Sequence, residues 1–125
     1  MLFSMTEQGF STTTGFGTLQ VSSDDQYGFR PYQLMVASIA VCSGTVMTKI
    51  FKKKRLNVAD IQIEAKATRN PKIADRIETI DIHFKIKGEH LEDKMDKIMA
   101  LTRKNCSMVQ SVLGSIKVNE TYELV

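Results

Sequence analysis

The chain has 125 residues, 42% of them hydrophobic and 25% charged, with a net charge of +3. This length suits one domain, and we predict a single domain over residues 1–125. A charge this mild argues against a nucleic-acid-binding face, which would need clustered basic residues. No secretory signal is evident, and no run reaches the ~18 consecutive apolar residues of a membrane span. We therefore expect a cytoplasmic protein that binds neither nucleic acid nor membrane.

The first third of the chain predicts two strands followed by a long helix. Residues 10–14 are rich in threonine and residues 18–22 alternate polar and apolar, with Gly15-Phe16-Gly17 as the turn between them. Pro31 suits the first position of a helix, where its missing N–H has no consequence. Apolar residues then recur every three or four positions to residue 51, which predicts a buried central helix. Those that define the stripe are Met35, Ile39, Cys42, Val46 and Ile50.

The remainder predicts two further strands, a second helix and a closing strand. Residues 61–67 and 80–86 alternate cleanly, as strands of an antiparallel sheet covered on one face do. Residues 91–104 and 108–113 are amphipathic and helical, and Gly114 is placed to stop the second stretch. Residues 116–118 and 122–125 complete the order β-β-α-β-β-α-β. This order predicts an α+β fold with two buried central helices and antiparallel sheets.

Most catalytic motifs are absent from the sequence. It has no G-x-S-x-G, no Cys-x-x-Cys and no glycine-rich phosphate loop. His83 falls on the polar face of its strand and His90 in a turn, so both are interpreted as surface residues. We therefore expect no metal and no cofactor, and the two cysteines, Cys42 and Cys106, are the residues left to carry chemistry.

The residues alone leave the role of these cysteines open. A structural disulfide is rare in a cytosolic chain, so both are expected as thiols. Cys42 lies about twelve residues into its helix, roughly 18 Å from the helix N-terminus, and on its own resembles an inert buried thiol. Cys106 has Arg103 and Lys104 nearby, and Asn105 could cap a new helix around it, features that lower a thiol pKa. A redox pair and two structural cysteines are about equally favoured at this point.

Residues 31–42, PYQLMVASIAVC, resemble the Pro-x-x-Leu…Ala…Ala-x-Cys segment of the osmotically induced and organic-hydroperoxide-resistance proteins, the OsmC/Ohr family. Cys106 falls where that family has its second cysteine. The resemblance implies an intertwined homodimer with sites at the subunit interface and reduction of organic hydroperoxides. It assigns peroxide attack to Cys42 and the resolving role to Cys106, with an external dithiol as reductant.

The chain departs from the family pattern at the groups that activate the first thiol. Family peroxidases use an N-terminal arginine, whereas residues 1–29 contain no Arg or Lys. Their glutamate falls at Tyr32, and the adjacent Gln33 carries no charge. Cys106 is followed by Ser107, where many members have proline. The cations left to support the thiolate, from a partner subunit, are Arg30, Arg103 and Lys104.

Two functions follow from the sequence and the resemblance. We favour a cysteine peroxidase that reduces organic hydroperoxides through Cys42 and Cys106. The alternative is a non-catalytic member that binds a small hydrophobic ligand at the dimer interface.

Overall fold

The computed structural model describes all 125 residues, which group into two compact units, Met1–Met35 and Val36–Val125. The secondary-structure elements are β1 (Ser4–Met5), β2 (Phe10–Thr13), β3 (Thr18–Val21), α1 (Pro31–Lys53), β4 (Val58–Asn70), β5 (Arg76–Gly88), α2 (Met95–Asn105), α3 (Ser107–Val112) and β6 (Lys117–Leu124). This mixture of helices and strands confirms the predicted α+β class. The single domain over residues 1–125 stays a prediction.

The first unit contains an antiparallel sheet in the order β1-β2-β3. The predicted hairpin is present, with Phe10 opposite Val21 and Thr13 opposite Thr18. Its turn is closed by a hydrogen bond from the Thr14 N–H to the Gly17 carbonyl, 2.8 Å. The sequence missed β1, because a two-residue strand is too short to show an alternating pattern.

The second unit contains a sheet in the order β4-β5-β6. β4 and β5 are antiparallel, and alternate residues of β5 are buried as predicted: Ile80, Ile82, Phe84 and Ile86. The predicted strands 116–118 and 122–125 are one strand, β6, which pairs with β5 in parallel. This sheet is therefore mixed rather than wholly antiparallel. A parallel pair needs a long crossover, and the chain segment with α2 and α3 supplies it.

Helix α1 buries one face, formed by residues three and four positions apart: Ile39, Ala40, Ser43, Gly44, Met47 and Phe51. A Cβ at Gly44 would collide with the Cδ1 atom of Ile63 in β4. The close neighbour of this glycine is a side chain rather than a backbone. Gly44 thus leaves room for the Ile63 side chain of β4 against the helix.

The end of α1 has an unusual residue in a left-handed conformation. Arg55 has a φ of 56°. Its N–H bonds the Lys52 carbonyl and the Leu56 N–H bonds the Phe51 carbonyl, both at 3.0 Å. These two bonds form a Schellman motif, which normally has glycine at the position that Arg55 occupies.

Helices α2 and α3 differ from the sequence prediction mainly at their ends. The helix expected over 91–104 begins at Met95 and continues to Asn105. Residues before it form a turn, with Leu91 fully buried. Gly114, two residues beyond α3, has a φ of +93° and ends that helix as predicted.

By length and composition, α1 also meets the requirements of a membrane span, with a mean hydropathy of 1.7 over an 18-residue window. About a third of that window, 33%, is buried inside the protein. Its apolar residues form no long consecutive run, because Ser38, Ser43 and Thr45 interrupt them. Core helices of globular proteins pass the same test, so the absence of membrane binding stays a prediction.

Candidate functional site: a pair of thiols

Cys42 lies at the border of the buried face of α1. It is half-buried, between Val41, which is 61% exposed, and Ser43, which is fully buried. This position follows from the helical period, because one step of about 100° separates consecutive residues. The Cys42 sulfur is therefore partly accessible while its neighbour is anchored in the core.

Cys106 lies between α2 and α3 and is fully buried. Its φ of −82° and ψ of 108° are extended, so it ends one helix and begins the next. The prediction that Asn105 caps the new helix is wrong. Asn105 is the last residue of α2, and its side-chain amide donates to the Leu101 carbonyl at 2.8 Å.

The structure brings two Cys-Ser dipeptides together in a crossed arrangement. The Cys42 sulfur is 3.7 Å from the Ser107 hydroxyl. The Ser43 hydroxyl donates a hydrogen bond to the Cys106 sulfur, at 3.4 Å. Each serine thus contacts the cysteine of the other dipeptide. Neither cysteine forms a disulfide, and each thiol affects the acidity of the other.

These contacts and the burial of each thiol shift the pKa values of Cys42 and Cys106 in opposite directions. Burial raises the pKa of Cys42, but hydrogen bonds from the Met108 backbone N–H, the Cys106 thiol and the Ser107 hydroxyl and N–H outweigh it, so that the pKa lies below its usual value. The N–H groups of Ser107 and Met108 are available because the first turn of a helix leaves its donors without helical partners. Cys42 therefore forms the thiolate more readily than an ordinary cysteine.

Cys106 is shifted in the opposite direction. Burial is the main cause and raises its pKa, while the hydrogen bonds from Ser43 and the Val109 N–H oppose it only in part. A thiolate at Cys42 adds to the increase, since a second negative charge beside it is unfavourable. The expectation from local sequence, an acidic Cys106, is therefore wrong in direction. The neighbouring thiolate and burial decide the pKa, rather than the basic residues that precede it.

Those basic residues point elsewhere within the subunit. The Arg103 guanidinium donates to the Val118 carbonyl at 2.9 Å and to the Glu120 carboxylate at 3.0 Å, both in β6. Lys104 is exposed on α2. A role for either cation at Cys42 of a partner subunit stays a prediction.

The other predicted supporting residues lie in the first unit. The Arg30 guanidinium is stacked 4.8 Å above the centre of the Tyr32 ring, a cation–π contact. The Gln33 amide donates to the Tyr32 hydroxyl at 3.5 Å. Arg30, Tyr32 and Gln33 thus form a small cluster of their own, and their part in the thiol chemistry stays a prediction.

Sequence reasoning missed both serines and the Met108 N–H. The repeated Cys-Ser dipeptide was visible in the sequence, but serine is common and its spacing carries no signal. The histidines behave as expected for surface residues: His83 contacts Thr121 and Glu123 at 2.7 and 3.4 Å, and His90 is exposed. No group of three or more His, Cys, Asp or Glu side chains could hold a metal ion.

The fold agrees with the comparisons with known proteins. The model of the family described as OsmC-like protein matches residues 23–121, and the chain belongs to this family. None of the curated protein sequences compared with the chain matches it.

Three solved structures illustrate the likeness. A hypothetical protein from Aquifex aeolicus VF5 has 28% identity and a TM-score of 0.88, over 99% of this chain and 93% of that one. An OsmC-like protein from Mycoplasma pneumoniae has 14% identity and a TM-score of 0.87, over 99% and 94%. An organic hydroperoxide resistance protein OsmC from Legionella pneumophila has 13% identity and a TM-score of 0.76, over 98% and 97%. The last two show that the fold is shared.

Proposed function

We propose that the protein is a thiol-dependent reductase of organic hydroperoxides, with Cys42 as the attacking thiol and Cys106 as the resolving thiol. The observation that carries the proposal is the junction of the two Cys-Ser dipeptides, where Cys42 is partly exposed and accepts the hydrogen bonds that lower its pKa, as a nucleophile needs. Two proteins that share this fold are described as organic hydroperoxide resistance proteins, which favours the same reaction class.

The reaction balances with these two thiols alone. The Cys42 thiolate attacks the terminal oxygen of the hydroperoxide, the O–O bond breaks, and an alkoxide leaves and takes a proton from water. Cys42 is then a sulfenic acid. The Cys106 thiol condenses with it, a disulfide forms and water leaves. An external dithiol reduces the disulfide and restores both thiols.

Hydrogen bonds take the place of the absent charged partners in this proposal. The sulfur of Cys42 is within reach of one hydroxyl, one thiol and two backbone N–H groups. A carboxylate or thiolate that accepts several such bonds is stabilised without a formal positive charge. A cation from a partner subunit, Arg30, Arg103 or Lys104, would add to this stabilisation.

We further propose that the protein works as a homodimer in the cytoplasm. The support is exposed apolar surface on both units, which is typical of an interface. In the first unit, Phe10 is 52%, Phe16 105% and Phe29 60% exposed; in the second, Val41 beside Cys42 is 61% exposed. Sedimentation of the purified protein at two concentrations would test the dimer.

The reaction is tested by adding cumene hydroperoxide to the reduced protein and counting the remaining thiols. The wild type should lose both thiols and form one disulfide within the chain. Cys106→Ser should lose one thiol and accumulate a sulfenic acid that dimedone traps, whereas Cys42→Ser should lose none. If the wild type keeps both thiols under excess peroxide, the proposal is wrong.

One observation favours the second function, binding of a small hydrophobic ligand. An apolar groove of about 580 Å³ lies in the first unit. Among its lining residues are Phe3, Phe10, Leu19, Val21, Pro31 and Leu34. This function predicts that a bound fatty acid or alcohol raises the melting temperature equally in the wild type and in Cys42→Ser. An unchanged melting temperature across such ligands would exclude it.

A further inference from the structure

The two serines of the crossed arrangement contact different sulfurs, and the two sulfurs act in different steps of the proposed reaction. We propose that Ser107 serves the peroxide-cleaving step and Ser43 serves the disulfide-forming step. This inference rests on the proposed function and deepens it, because it assigns one hydroxyl to each half-reaction.

The position and exposure of Ser107 suit it to the peroxide-cleaving step. Its hydroxyl is 3.7 Å from the Cys42 sulfur, and a thiolate can only accept, so the hydroxyl donates to it. The side chain is exposed, so the hydroxyl can turn between the sulfur and water as the peroxide enters. Proline, which many members of the family have at this position, offers no such donor. Ser107 therefore supplies a side-chain donor to the Cys42 sulfur at the edge of solvent.

Ser43 is matched to the second step because it is buried with Cys106. Both side chains are 0% exposed, and the Ser43 hydroxyl donates to the Cys106 sulfur at 3.4 Å. When Cys106 attacks the sulfenic sulfur, its S–H bond breaks, the S–S bond forms, and the proton leaves with the hydroxyl of Cys42 as water. Negative charge develops on the buried sulfur during this transfer, where no solvent can stabilise it. The Ser43 hydroxyl is already directed at that atom.

The two roles are separable by kinetics. Ser107→Ala, Ser43→Ala and the wild type are compared by the pH profile of Cys42 alkylation with iodoacetamide, the rate of sulfenic acid formation with cumene hydroperoxide, and the rate of disulfide formation that follows. We expect Ser107→Ala to shift the alkylation profile to higher pH and to slow sulfenic acid formation about tenfold, the size of one hydrogen bond to a charged group. Disulfide formation should keep its rate, and Ser107→Thr should restore the profile.

Ser43→Ala should show the reverse pattern. Its alkylation profile and sulfenic acid formation should match the wild type, while disulfide formation slows about tenfold and sulfinic acid accumulates under excess peroxide. Ser111→Ala is the matched control: Ser111 donates to the Ser107 backbone carbonyl at 2.7 Å, so its removal disturbs α3 without removing a hydroxyl from either sulfur. It should leave both steps within twofold of the wild type.

The inference is overturned if each variant slows both steps equally, or if neither slows a step beyond the Ser111→Ala control. A failure of the proposed function looks different. In that case the wild type does not react with the hydroperoxide at all, while alkylation still tests Ser107. Diamide, a thiol oxidant that needs no peroxide, then drives disulfide formation and tests Ser43 through the same comparison of rates.

Discussion

Removing the Arg103 side chain should leave the Glu120 carboxylate buried without a countercharge. The Glu120 side chain is only 5% exposed, on the strand position paired with Ile82 of β5. Its Oε1 atom accepts from Arg103 at 3.0 Å, and its Oε2 atom is buried without a partner. Arg103 is thus the group that compensates this buried charge, and it also donates to the Val118 carbonyl.

The burial of the Arg103–Glu120 ion pair determines how much stability is lost. Breaking a fully buried ion pair by removing one partner costs about 3–5 kcal/mol. The Arg103 side chain is 40% exposed, so water reaches its side of the pair and the cost is smaller. For Arg103→Met, which keeps the apolar stem and removes the charge, we expect a loss of about 2 kcal/mol in the free energy of unfolding at pH 8.

The loss should depend on pH in a defined direction. Burial raises the pKa of Glu120, and the hydrogen bond and charge of Arg103 only partly lower it, so the pKa stays above its usual value. The folded state then binds more protons than the unfolded state above the unfolded pKa of about 4.3, and stability falls as the pH rises through the folded pKa. Arg103→Met raises that pKa further. Its penalty should therefore grow with pH and shrink below about pH 4, where Glu120 is protonated in both states.

Urea denaturation at pH 4 and pH 8, at one fixed protein concentration, measures this effect. Lys104→Met is the matched control, because it removes the neighbouring charge from an exposed position and should change stability by less than about 0.5 kcal/mol. Adding Glu120→Gln to Arg103→Met should recover most of the loss. A penalty that is equal at both pH values, or that survives Glu120→Gln, would refute the reasoning.

Three further predictions concern the thiols, the end of α1 and the core. In the native protein, iodoacetamide should modify Cys42 at a lower pH than it modifies an unperturbed cysteine, and should spare Cys106 until unfolding, because Cys42 has the lowered pKa and Cys106 is fully buried; mass spectrometry identifies the modified residue. Arg55→Gly should raise the free energy of unfolding by about 1 kcal/mol in urea, since it relieves a left-handed φ of 56°. Phe84→Ala should lower it by about 3–5 kcal/mol, while Phe16→Ala, at a side chain that is 105% exposed, should change it by under about 0.5 kcal/mol.

The strands and helices that the sequence predicted well are those with strong periodic patterns. The alternation of Ile80, Ile82, Phe84 and Ile86 predicted a strand with one buried face, and all four are buried. The parallel pairing of β6 was not predictable, because the same alternating residues suit a parallel or an antiparallel neighbour. The residue pattern within a segment thus predicted the strand or helix. The strand with which it pairs depended on the crossover connection between segments.

The same distinction between sequence and tertiary structure holds for the thiol site. The residues themselves left Cys42 and Cys106 as the candidates to carry chemistry, because other catalytic motifs are absent, but they favoured a redox pair and two structural cysteines about equally. Which thiol is the more acidic depended on tertiary structure, because the donors to Cys42 come from residues more than sixty positions away, in the first turn of α3. Hydrogen bonds and burial are set by neighbours in space, and local sequence pointed to Cys106 instead. The amino-acid sequence thus identified the two candidate thiols, whereas the packing of α1 against the α2–α3 junction gives Cys42 the lower pKa, because its hydrogen-bond donors lie far away along the chain.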